Sequence, residues 1–321
     1  MQILLVKTSS LGDVIHNLPV VSDLRQRFPD AAIDWVVEEA FAELPRLHAG
    51  VRTVIPVALR TWRKALLLPA TWRQVRDFAR RLQLATYDAV LDSQGLLKSA
   101  VIAALAPLRS GGRRLGYDRQ AAREPFAARF YRERFAIPRN LHAVERNRWL
   151  AAAAFGYSLD QPPDYGISAL PLVAEWLPKR SYVVLLTATS RADKLWPEDD
   201  WQGLGMALIA TGLQCVLPSG SVEERQRATR LVGKLGRAVV APEMNLTDMA
   251  GLLAGAELVV GVDTGLVHLS AALGRPTLAI FAGSDPALTG VLADGKAVNL
   301  GARDKPPSAR EAVEATLKLV P

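Results

Sequence analysis

The sequence predicts an α/β protein in which two doubly wound parallel sheets form two domains. Apolar, β-branched runs typical of strands buried on both faces alternate along the chain with longer amphipathic segments typical of helices. This alternation favours parallel sheets covered by helices. The chain has 321 residues, of which 50% are hydrophobic, so it can bury a large core and is too long for one ordinary domain.

The first half opens with an apolar strand, Gln2–Val6, followed by a turn at 7–13. Helices are expected to alternate with the later strands because the apolar period changes between the segments. The expected strands are 33–37, 52–57, 89–92 and 113–117, and the expected helices are 14–28, 40–48, 71–84, 96–105, 123–135 and 143–155.

A proline-rich stretch without periodicity, residues 161–178, is the expected linker between a first domain at 1–160 and a second at 179–321. The second domain repeats the alternation, and its last helix is placed there or packed back on the first domain. The expected strands are 182–186, 214–217, 238–240, 257–262 and 277–281, and the expected helices are 199–210, 222–235, 246–253, 266–273 and 308–319. Ligands of such sheets bind at the carboxyl ends of the strands, so two Rossmann-like domains facing a central cleft are the simplest arrangement.

The net charge of +7 is unevenly distributed. Residues 1–150 carry 24 Lys and Arg against 14 Asp and Glu, a net charge of +10, whereas the remainder carries 15 against 18, a net charge of −3. The first half is therefore expected to prefer an anionic partner, either a phosphorylated substrate or a membrane surface. Nucleic acid is not expected, because no basic motif interleaved with aromatic residues is present.

Several classes of protein are excluded by composition. The single Cys215 lies in an apolar run, which rules out a disulfide framework and predicts a buried, inert thiol. The four histidines are scattered, so we expect no metal site. No window of about twenty residues is free of charge, and no signal peptide is visible, so a cytosolic protein is expected, with membrane contact from that side only.

The segment 256–286 predicts a strand, a turn, a helix and a second strand. Asp263 and Thr264 fall where the first strand ends, Gly265 allows close approach of a ligand, and His268 lies in the first turn of the helix. A helix N-terminus with free N–H groups suits a phosphate or diphosphate. The alternative is that Asp263 and Thr264 only cap the helix and His268 is a satisfied, half-buried side chain.

Two further loops follow strands of the same domain. The loop 187–197 contains Thr189, Ser190 and Lys194, whose hydroxyl and ammonium groups fit phosphate oxygens, although a solvated loop has the same composition. Glu224, or the adjacent Glu223, follows the next strand and can accept ribose hydroxyls. Together these loops predict a nucleotide site that lacks Walker and GxGxxG motifs.

The first domain offers a candidate base and a basic surface. Gly12 permits a tight turn, and Asp13 is either a helix cap or a carboxylate that removes a proton from a hydroxyl. Between residues 59 and 82, seven basic residues surround Trp62, Trp72 and Leu66–Leu68 and are offset only by Asp77. This region is a solvated helix face or, as we favour, a phosphate and lipid-surface contact.

Eight segments carry a resemblance to a known family: KTSSLGDVIHNLP, DWVVEE, VIPVALRTWRK, YDAVLDSQGLLKSA, AREP, HAVER, DKLWPEDDW and VDTGLVHLSAALGRPT. In order and over nearly the whole chain, they resemble the lipopolysaccharide heptosyltransferases of glycosyltransferase family nine. The resemblance implies a GT-B fold, inversion at the sugar carbon, and no metal or other cofactor. It also implies transfer of L-glycero-D-manno-heptose from ADP-heptose to the first Kdo residue of Kdo-lipid A, at the cytosolic face of the inner membrane.

The resemblance also implies roles for individual residues. Asp13 matches the general base. The donor positions match Thr189, Ser190, Lys194, Glu224, Met244, Asp263, Thr264, Gly265 and His268, with Met244 on the adenine side. The acceptor positions match Ser10, Gly12, Arg60, Arg63, Lys64, Arg123 and His142. The chain departs from the family pattern at Thr187, where an imidazole is expected.

The alternatives are another heptosyltransferase of the family, a GT-B-like sugar-nucleotide epimerase, or a non-enzymatic protein that binds a sugar nucleotide or lipid A. The epimerase would not need the basic first-domain surface, and the binding protein would not need Asp13.

Overall fold

The computed structural model describes residues 1–189, 191–293 and 295–319. Contacts within the chain divide it into two compact units, Met1–Ile167 and Ser168–Pro321. Each unit contains one six-stranded sheet in which all strand pairs are parallel. The prediction of two doubly wound sheets is therefore confirmed.

In the first unit, the order of the strands is β3-β2-β1-β4-β5-β6. The strands are β1 (Gln2–Val6), β2 (Ala32–Glu38), β3 (Val51–Val57), β4 (Tyr87–Asp92), β5 (Leu108–Tyr117) and β6 (Glu133–Phe135). The helices are α1 (Leu11–Ile15), α2 (Leu18–Arg27), α3 (Glu43–Arg46), α4 (Leu59–Lys64), α5 (Pro69–Leu82), α6 (Leu97–Leu105) and α7 (Ala143–Phe155). The strand order reverses between β1 and β4, the switch point at which such sheets bind ligands.

Two predicted helices of this unit are divided. The helix expected at 14–28 is α1 and α2, because Pro19 lies in the first turn of α2 and cannot donate a hydrogen bond to a preceding turn. The helix expected at 40–48 is a short 3₁₀ turn, Glu39–Phe41, followed by α3.

The prediction of a helix at 123–135 is wrong. The chain forms a 3₁₀ helix at Pro125–Phe130 and then β6, which pairs with β5. The Tyr131 hydroxyl donates to Asp92 at 2.6 Å, and the ring lies so close to Gly116 that a Cβ there would be 2.5 Å from it. Burial of Tyr131 against the sheet therefore outweighs local helix propensity.

The second unit has the strand order β12-β11-β10-β7-β8-β9. Read from β9 to β12, with the strands of each unit numbered from one, this is the same order as in the first sheet. The strands are β7 (Tyr182–Leu186), β8 (Gln214–Leu217), β9 (Ala238–Val240), β10 (Leu258–Val262), β11 (Thr277–Phe281) and β12 (Ala297–Gly301). The helices are α8 (Glu198–Ala210), α9 (Val222–Leu235), α10 (Leu246–Ala254), α11 (Gly265–Ala272), α12 (Pro286–Thr289) and α13 (Ala309–Leu317).

Sequence analysis missed β12 and α12. β12 is an edge strand with only half-buried or exposed residues, so it lacks the continuous apolar run of the central strands. Helix α13 buries Ala312 and Ala315 in the core of the second unit, so a position on the first domain is not needed to cover its apolar face. Cys215 is also buried there, as predicted, and burial raises the pKa of its thiol to about 12.

Candidate active site

The residues predicted to bind the donor follow four neighbouring strands of the second sheet. Thr189 and Lys194 follow β7, Glu224 follows β8, Met244 follows β9, and Asp263 follows β10. Because β10, β7, β8 and β9 are adjacent and parallel, these positions share the carboxyl edge of one sheet. Ser190 lies outside the described residues.

Asp263 is the centre of a cluster of hydrogen-bond donors. Lys194 Nζ donates to its Oδ2 at 2.6 Å, and Ser284 Oγ donates to the same oxygen. His268 Nε2 lies 3.9 Å from Oδ1. Burial alone would raise the pKa of Asp263, but His268, Lys194 and Ser284 hold it well below the usual range of a carboxyl group. Asp263 is therefore an ionised anchor that fixes the Lys194 ammonium.

Close backbone packing brings these side chains together. A Cβ at Gly283 would lie 2.7 Å from the carbonyl oxygen of Asp193, so only glycine allows the segment with Ser284 to lie against the segment with Lys194. Thr189 Oγ1 adds a third link by donating to the carbonyl of Asp263 at 3.2 Å. The loops after β7, β10 and β11 thus form one structure.

The N-terminus of α11 opens beside this cluster. Thr264 is the N-cap residue, and its side chain makes no capping hydrogen bond. The first N–H groups of a helix have no partner within the helix, and the helix dipole places partial positive charge there. Next to the Lys194 ammonium, this arrangement suits the oxygens of a diphosphate.

Glu224 and Glu223 differ in what they contact. Glu224 Oε2 accepts the Gly220 N–H at 2.6 Å, whereas Glu223 Oε2 accepts the Ser221 hydroxyl at 2.9 Å. A cavity of about 580 Å³ lies beside this turn, lined in part by Ser219, Gly220 and Glu243. Met244 is half-buried in the loop that follows β9. This cavity is large enough for part of a nucleoside, but the predicted ribose and adenine residues, Glu224 and Met244, are not among the residues that line it.

In the first unit, Asp13 and Arg123 form an ion pair after the ends of β1 and β5. Arg123 Nη2 donates to Asp13 Oδ1 at 2.8 Å, and its Nη1 lies 3.3 Å from Oδ2. Asp13 is also the third residue of a capping box, since its Oδ2 accepts the Ser10 N–H at 2.9 Å. Its side chain is only 14% exposed, so the capping role and a chemical role are both compatible with its position.

Lys7, which sequence analysis did not assign to the site, is buried and lines the same small pocket as Asp13. Its ammonium donates to the Ser93 carbonyl at 2.8 Å and to Asn147 Oδ1 at 3.2 Å. Burial lowers the pKa of Lys7 from its usual 10.5 to about 8. Burial would raise the pKa of Asp13, but the positive charges of Lys7 and Arg123 and the Ser10 N–H lower it to about 2. The sequence signal that could have identified Lys7 is its position as a charged residue directly after a buried parallel strand.

Gln94, also missed, holds the turn that carries Ser10 and Asp13. Its side-chain Oε1 accepts the N–H groups of Thr8 at 2.7 Å and Ser9 at 3.1 Å, and its Nε2 donates to the Ser9 carbonyl. Gln94 is 2% exposed, and it follows β4, the neighbour of β1. It therefore fixes the backbone before Asp13 from the other side of the switch point.

Not all of the other residues predicted to bind the acceptor lie near the Asp13 turn. His142 caps α7 by accepting the Val144 N–H, and its ring centroid lies 5.7 Å from that of His16. Arg60, Arg63 and Lys64 are exposed on α4, which follows β3. Since β3 is two strands away from β1, these three residues begin about 10 Å from the Asp13 turn.

The low pKa of Lys7 predicts a change in activity near pH 8. Lys7 is charged below its pKa of about 8 and neutral above it. The neutral amine loses the charge-assisted hydrogen bonds to the Ser93 carbonyl and Asn147 that order this site, and we expect that loss to outweigh any gain in the basicity of Asp13, so the acceptor kcat/KM is expected to fall as the pH rises through 8. Lys7→Arg keeps a cation at all working pH values and is expected to remove this alkaline limb. Initial rates from neutral to alkaline pH measure both profiles. A parent profile that stays flat through pH 8, or a limb that persists in a folded Lys7→Arg variant, would contradict this assignment.

Among the residues that the structure describes, no group of three or more His, Cys, Asp or Glu side chains lies close enough together to hold a metal ion. Nor does the described part of the chain contain a helix of the length and apolarity that crossing a membrane requires.

Comparisons with known proteins identify the family. The model of glycosyltransferase family 9 (heptosyltransferase) matches residues 75–318. The chain is 45% identical over 291 residues to lipopolysaccharide heptosyltransferase 1 of Escherichia coli K12, covering 90% of each chain. It also superposes on the E. coli heptosyltransferase WaaC with ADP, with a TM-score of 0.91, 41% identity and coverage of 99% of this chain and 100% of that one.

A second structure of that E. coli enzyme, with ADP-2-deoxy-2-fluoro heptose, matches with a TM-score of 0.86 and 41% identity, covering 99% of each chain. The two parallel six-stranded sheets of this protein thus have the GT-B-like architecture of these enzymes, as predicted. The chain belongs to glycosyltransferase family 9, the heptosyltransferases.

Proposed function

We propose that this protein transfers L-glycero-D-manno-heptose from ADP-heptose to the first Kdo residue of Kdo-lipid A, with inversion at the sugar carbon and without a metal. The observation that carries the proposal is the Asp263–Lys194–His268 cluster beside the N-terminus of α11. Family membership supports it, as do the ADP and the fluorinated ADP-heptose held by the similar E. coli enzyme.

The donor cluster supplies charge where the leaving group needs it. When the bond between heptose and phosphate breaks, negative charge grows on the diphosphate of ADP. The Lys194 ammonium and the free N–H groups of α11 are fixed before reaction and stabilise that charge without reorganisation. Asp263 positions Lys194, while Glu224 and Met244 are assigned to the ribose and adenine sides.

Asp13 is assigned as the general base that takes the proton from the acceptor hydroxyl as its oxygen attacks. With a pKa of about 2 the carboxylate is ionised at neutral pH, but the Arg123 pair also makes it a weak base. Kdo carries a carboxylate that competes for Arg123, whose side chain is 47% exposed. We infer that acceptor binding draws Arg123 away from Asp13 and thereby increases the basicity of Asp13.

Transfer to a lipid places the protein at the cytosolic face of the inner membrane as a peripheral protein. The net charge of +10 in residues 1–150 supports this position, because the surface of that leaflet is anionic. No nucleic-acid partner enters the proposal.

One assay tests the reaction against its alternatives. The protein is incubated with ADP-heptose, with and without Kdo-lipid A, and both ADP and the sugar nucleotide are analysed. ADP release that requires the acceptor is the expected result. A rearranged sugar nucleotide would identify an epimerase, and binding without turnover would identify a binding protein; each would overturn the proposal.

The basic residues of α4 are expected to act on the acceptor and not on the donor. Replacing Arg60, Arg63 and Lys64 with glutamine is expected to raise the acceptor KM by about three- to tenfold, because exposed charge pairs each contribute modestly. The acceptor is a deacylated, water-soluble form, so that bilayer binding plays no part. The dependence of KM on salt is expected to weaken, since only contacts within about 8–10 Å survive physiological screening. An unchanged KM across the salt series, in a variant that melts like the parent, would leave these residues as solvated surface.

A further inference from the structure

The turn between α4 and α5 carries a concentrated group of exposed apolar side chains. We call residues 65–72 the α4–α5 tip. Leu66 is 53% exposed, Leu67 97%, Leu68 55% and Trp72 56%. Leu68 is the N-cap of α5 and Trp72 lies four residues later, so these two side chains share one face of the helix. Four large apolar groups in eight residues form a patch that folding of this unit does not cover.

The tip is ordered by its own hydrogen bonds. Trp72 Nε1 donates to the Leu66 carbonyl at 2.9 Å, which ties the indole to the turn. Thr71 Oγ1 donates to the Ala65 carbonyl at 2.7 Å, and the Leu68 N–H donates to the same carbonyl at 3.0 Å. The leucines are therefore presented on a fixed turn and lose little conformational freedom when they are buried elsewhere.

The opposite faces of the two helices anchor the tip to the core. Trp62 of α4 and Phe78 of α5 are buried with ring centroids 5.8 Å apart, and Trp62 Nε1 donates to Gln74 Oε1 at 3.0 Å. Leu82 also joins this core cluster. Since the helices already bury one apolar face, the tip residues are additional to what the core needs.

The positive charge around the tip indicates which kind of partner it binds. Between Leu59 and Leu82 there are seven Lys and Arg residues and one Asp, a net charge of +6. Arg63 and Lys64 directly precede the tip, Arg73 directly follows it, and Arg76 lies three residues after Arg73. A second copy of this surface would be repelled by the same charge, whereas a bilayer with anionic headgroups offers an apolar interior below a negative surface.

We propose that the α4–α5 tip inserts Leu66, Leu67, Leu68 and Trp72 into an anionic phospholipid bilayer, with the adjacent basic side chains on the headgroups. Indole and leucine groups fit the boundary between headgroups and acyl chains, and long basic side chains keep their charge in water there. This inference deepens the proposed function by naming the surface that brings the enzyme to a lipid acceptor, and it rests on that function only for its purpose.

The test is co-sedimentation of the full chain with vesicles that contain neither substrate. Vesicles of equal parts phosphatidylethanolamine and phosphatidylglycerol are compared with vesicles of phosphatidylcholine alone. The parent is expected to bind the anionic vesicles, to bind the neutral ones at least several-fold less, and to lose binding as salt rises. A parent that binds neither type of vesicle would overturn the proposal.

Substitutions at Leu67 can test both a decrease and an increase in vesicle binding. Its side chain is almost fully exposed, so replacing it is expected to leave the folded unit intact. Leu67→Ser is expected to lower the vesicle partition coefficient roughly tenfold or more, and Leu67→Trp to raise it. Leu84→Ser is the matched control. Leu84 is 84% exposed but follows the far end of α5, about 20 Å away along the helix, and its replacement is expected to have no effect.

Equal partitioning of the Leu67 variants and the parent would overturn the inference, as would an effect of Leu84→Ser as large as that of Leu67→Ser. Sedimentation of the proteins without vesicles tests whether a second copy of the chain covers the tip instead. If the parent forms a dimer that Leu67→Ser loses, and Leu67→Ser still binds vesicles, the inference is also overturned. Turnover of the deacylated acceptor is expected to be the same for all three variants. A protein that binds vesicles through the tip but releases no ADP would contradict the proposed function and leave this inference standing.

Discussion

Asp13→Asn is expected to slow heptosyl transfer by about 10²–10⁴-fold while leaving the affinity for ADP-heptose close to that of the parent. The amide cannot take a proton from the acceptor hydroxyl, which is the role assigned to the carboxylate. The donor cluster follows β7, β10 and β11 in the other unit, so the substitution removes none of its contacts. Single-turnover rates measure the chemical step, and calorimetry measures donor affinity.

The fold must be tested separately, because Asp13 also belongs to a capping box and pairs with Arg123. Loss of a helix cap costs typically about 1 kcal/mol, so a modest decrease in melting temperature is expected and does not explain a large loss of rate. Asp30→Asn, at an exposed aspartate of the same unit, is the matched control and is expected to keep full activity. Near-parental turnover by Asp13→Asn would reduce Asp13 to a capping residue.

Lys194→Ala is expected to weaken donor binding and to slow transfer together. Its ammonium meets the diphosphate both before and during bond breaking, and a charged hydrogen bond of this kind contributes about 1.5–3 kcal/mol, or roughly 10- to 150-fold in donor affinity. The substitution also leaves Asp263, whose side chain is 9% exposed, without its closest cation. Calorimetric titration with ADP-heptose and with ADP measures the effect.

Lys234→Ala is the control, since Lys234 is an exposed lysine of the same unit that pairs with Asp199 at 3.4 Å. If Lys194→Ala binds ADP as tightly as the parent does, Lys194 does not contact the diphosphate. Restoration of affinity by Asp263→Asn in the Lys194→Ala background would point to the same conclusion, because the unpaired carboxylate and not the missing ammonium would then have repelled the phosphates.

Local signals predicted the segment around Asp263 well. The strand before it is a buried β-branched run, Thr264 and Gly265 mark the helix start, and Gly274 the helix end, so β10, α11 and β11 lie within one residue of their predicted bounds. The fold class follows from the same alternation. Helix 123–135 failed because burial of Tyr131 against Asp92 depends on a residue 39 positions away.

The chemistry of the first-unit site was less accessible to sequence analysis. A lysine after a strand is visible, but its pKa of about 8 depends on its burial in the folded unit. Similarly, Gln94 is separated by 85 residues from the Ser9 backbone that it holds. Ser284 was also missed, because its contact with Asp263 depends on Gly283 lying against Asp193. Such contacts depend on strand neighbours and not on spacing.

The three loops that meet at Asp263 also link nucleotide binding to the folding equilibrium. Lys194, Asp263 and Ser284 follow β7, β10 and β11, which are the adjacent central strands of the second sheet. A chain in which these strands have not paired cannot assemble the cluster, so we expect ADP to bind the native unit and not the unfolded one. By mass action, ADP at a hundred times its dissociation constant adds about 2.7 kcal/mol to the free energy of unfolding. The concentration of ADP is therefore expected to set part of the lifetime of this unit against local opening and proteolysis.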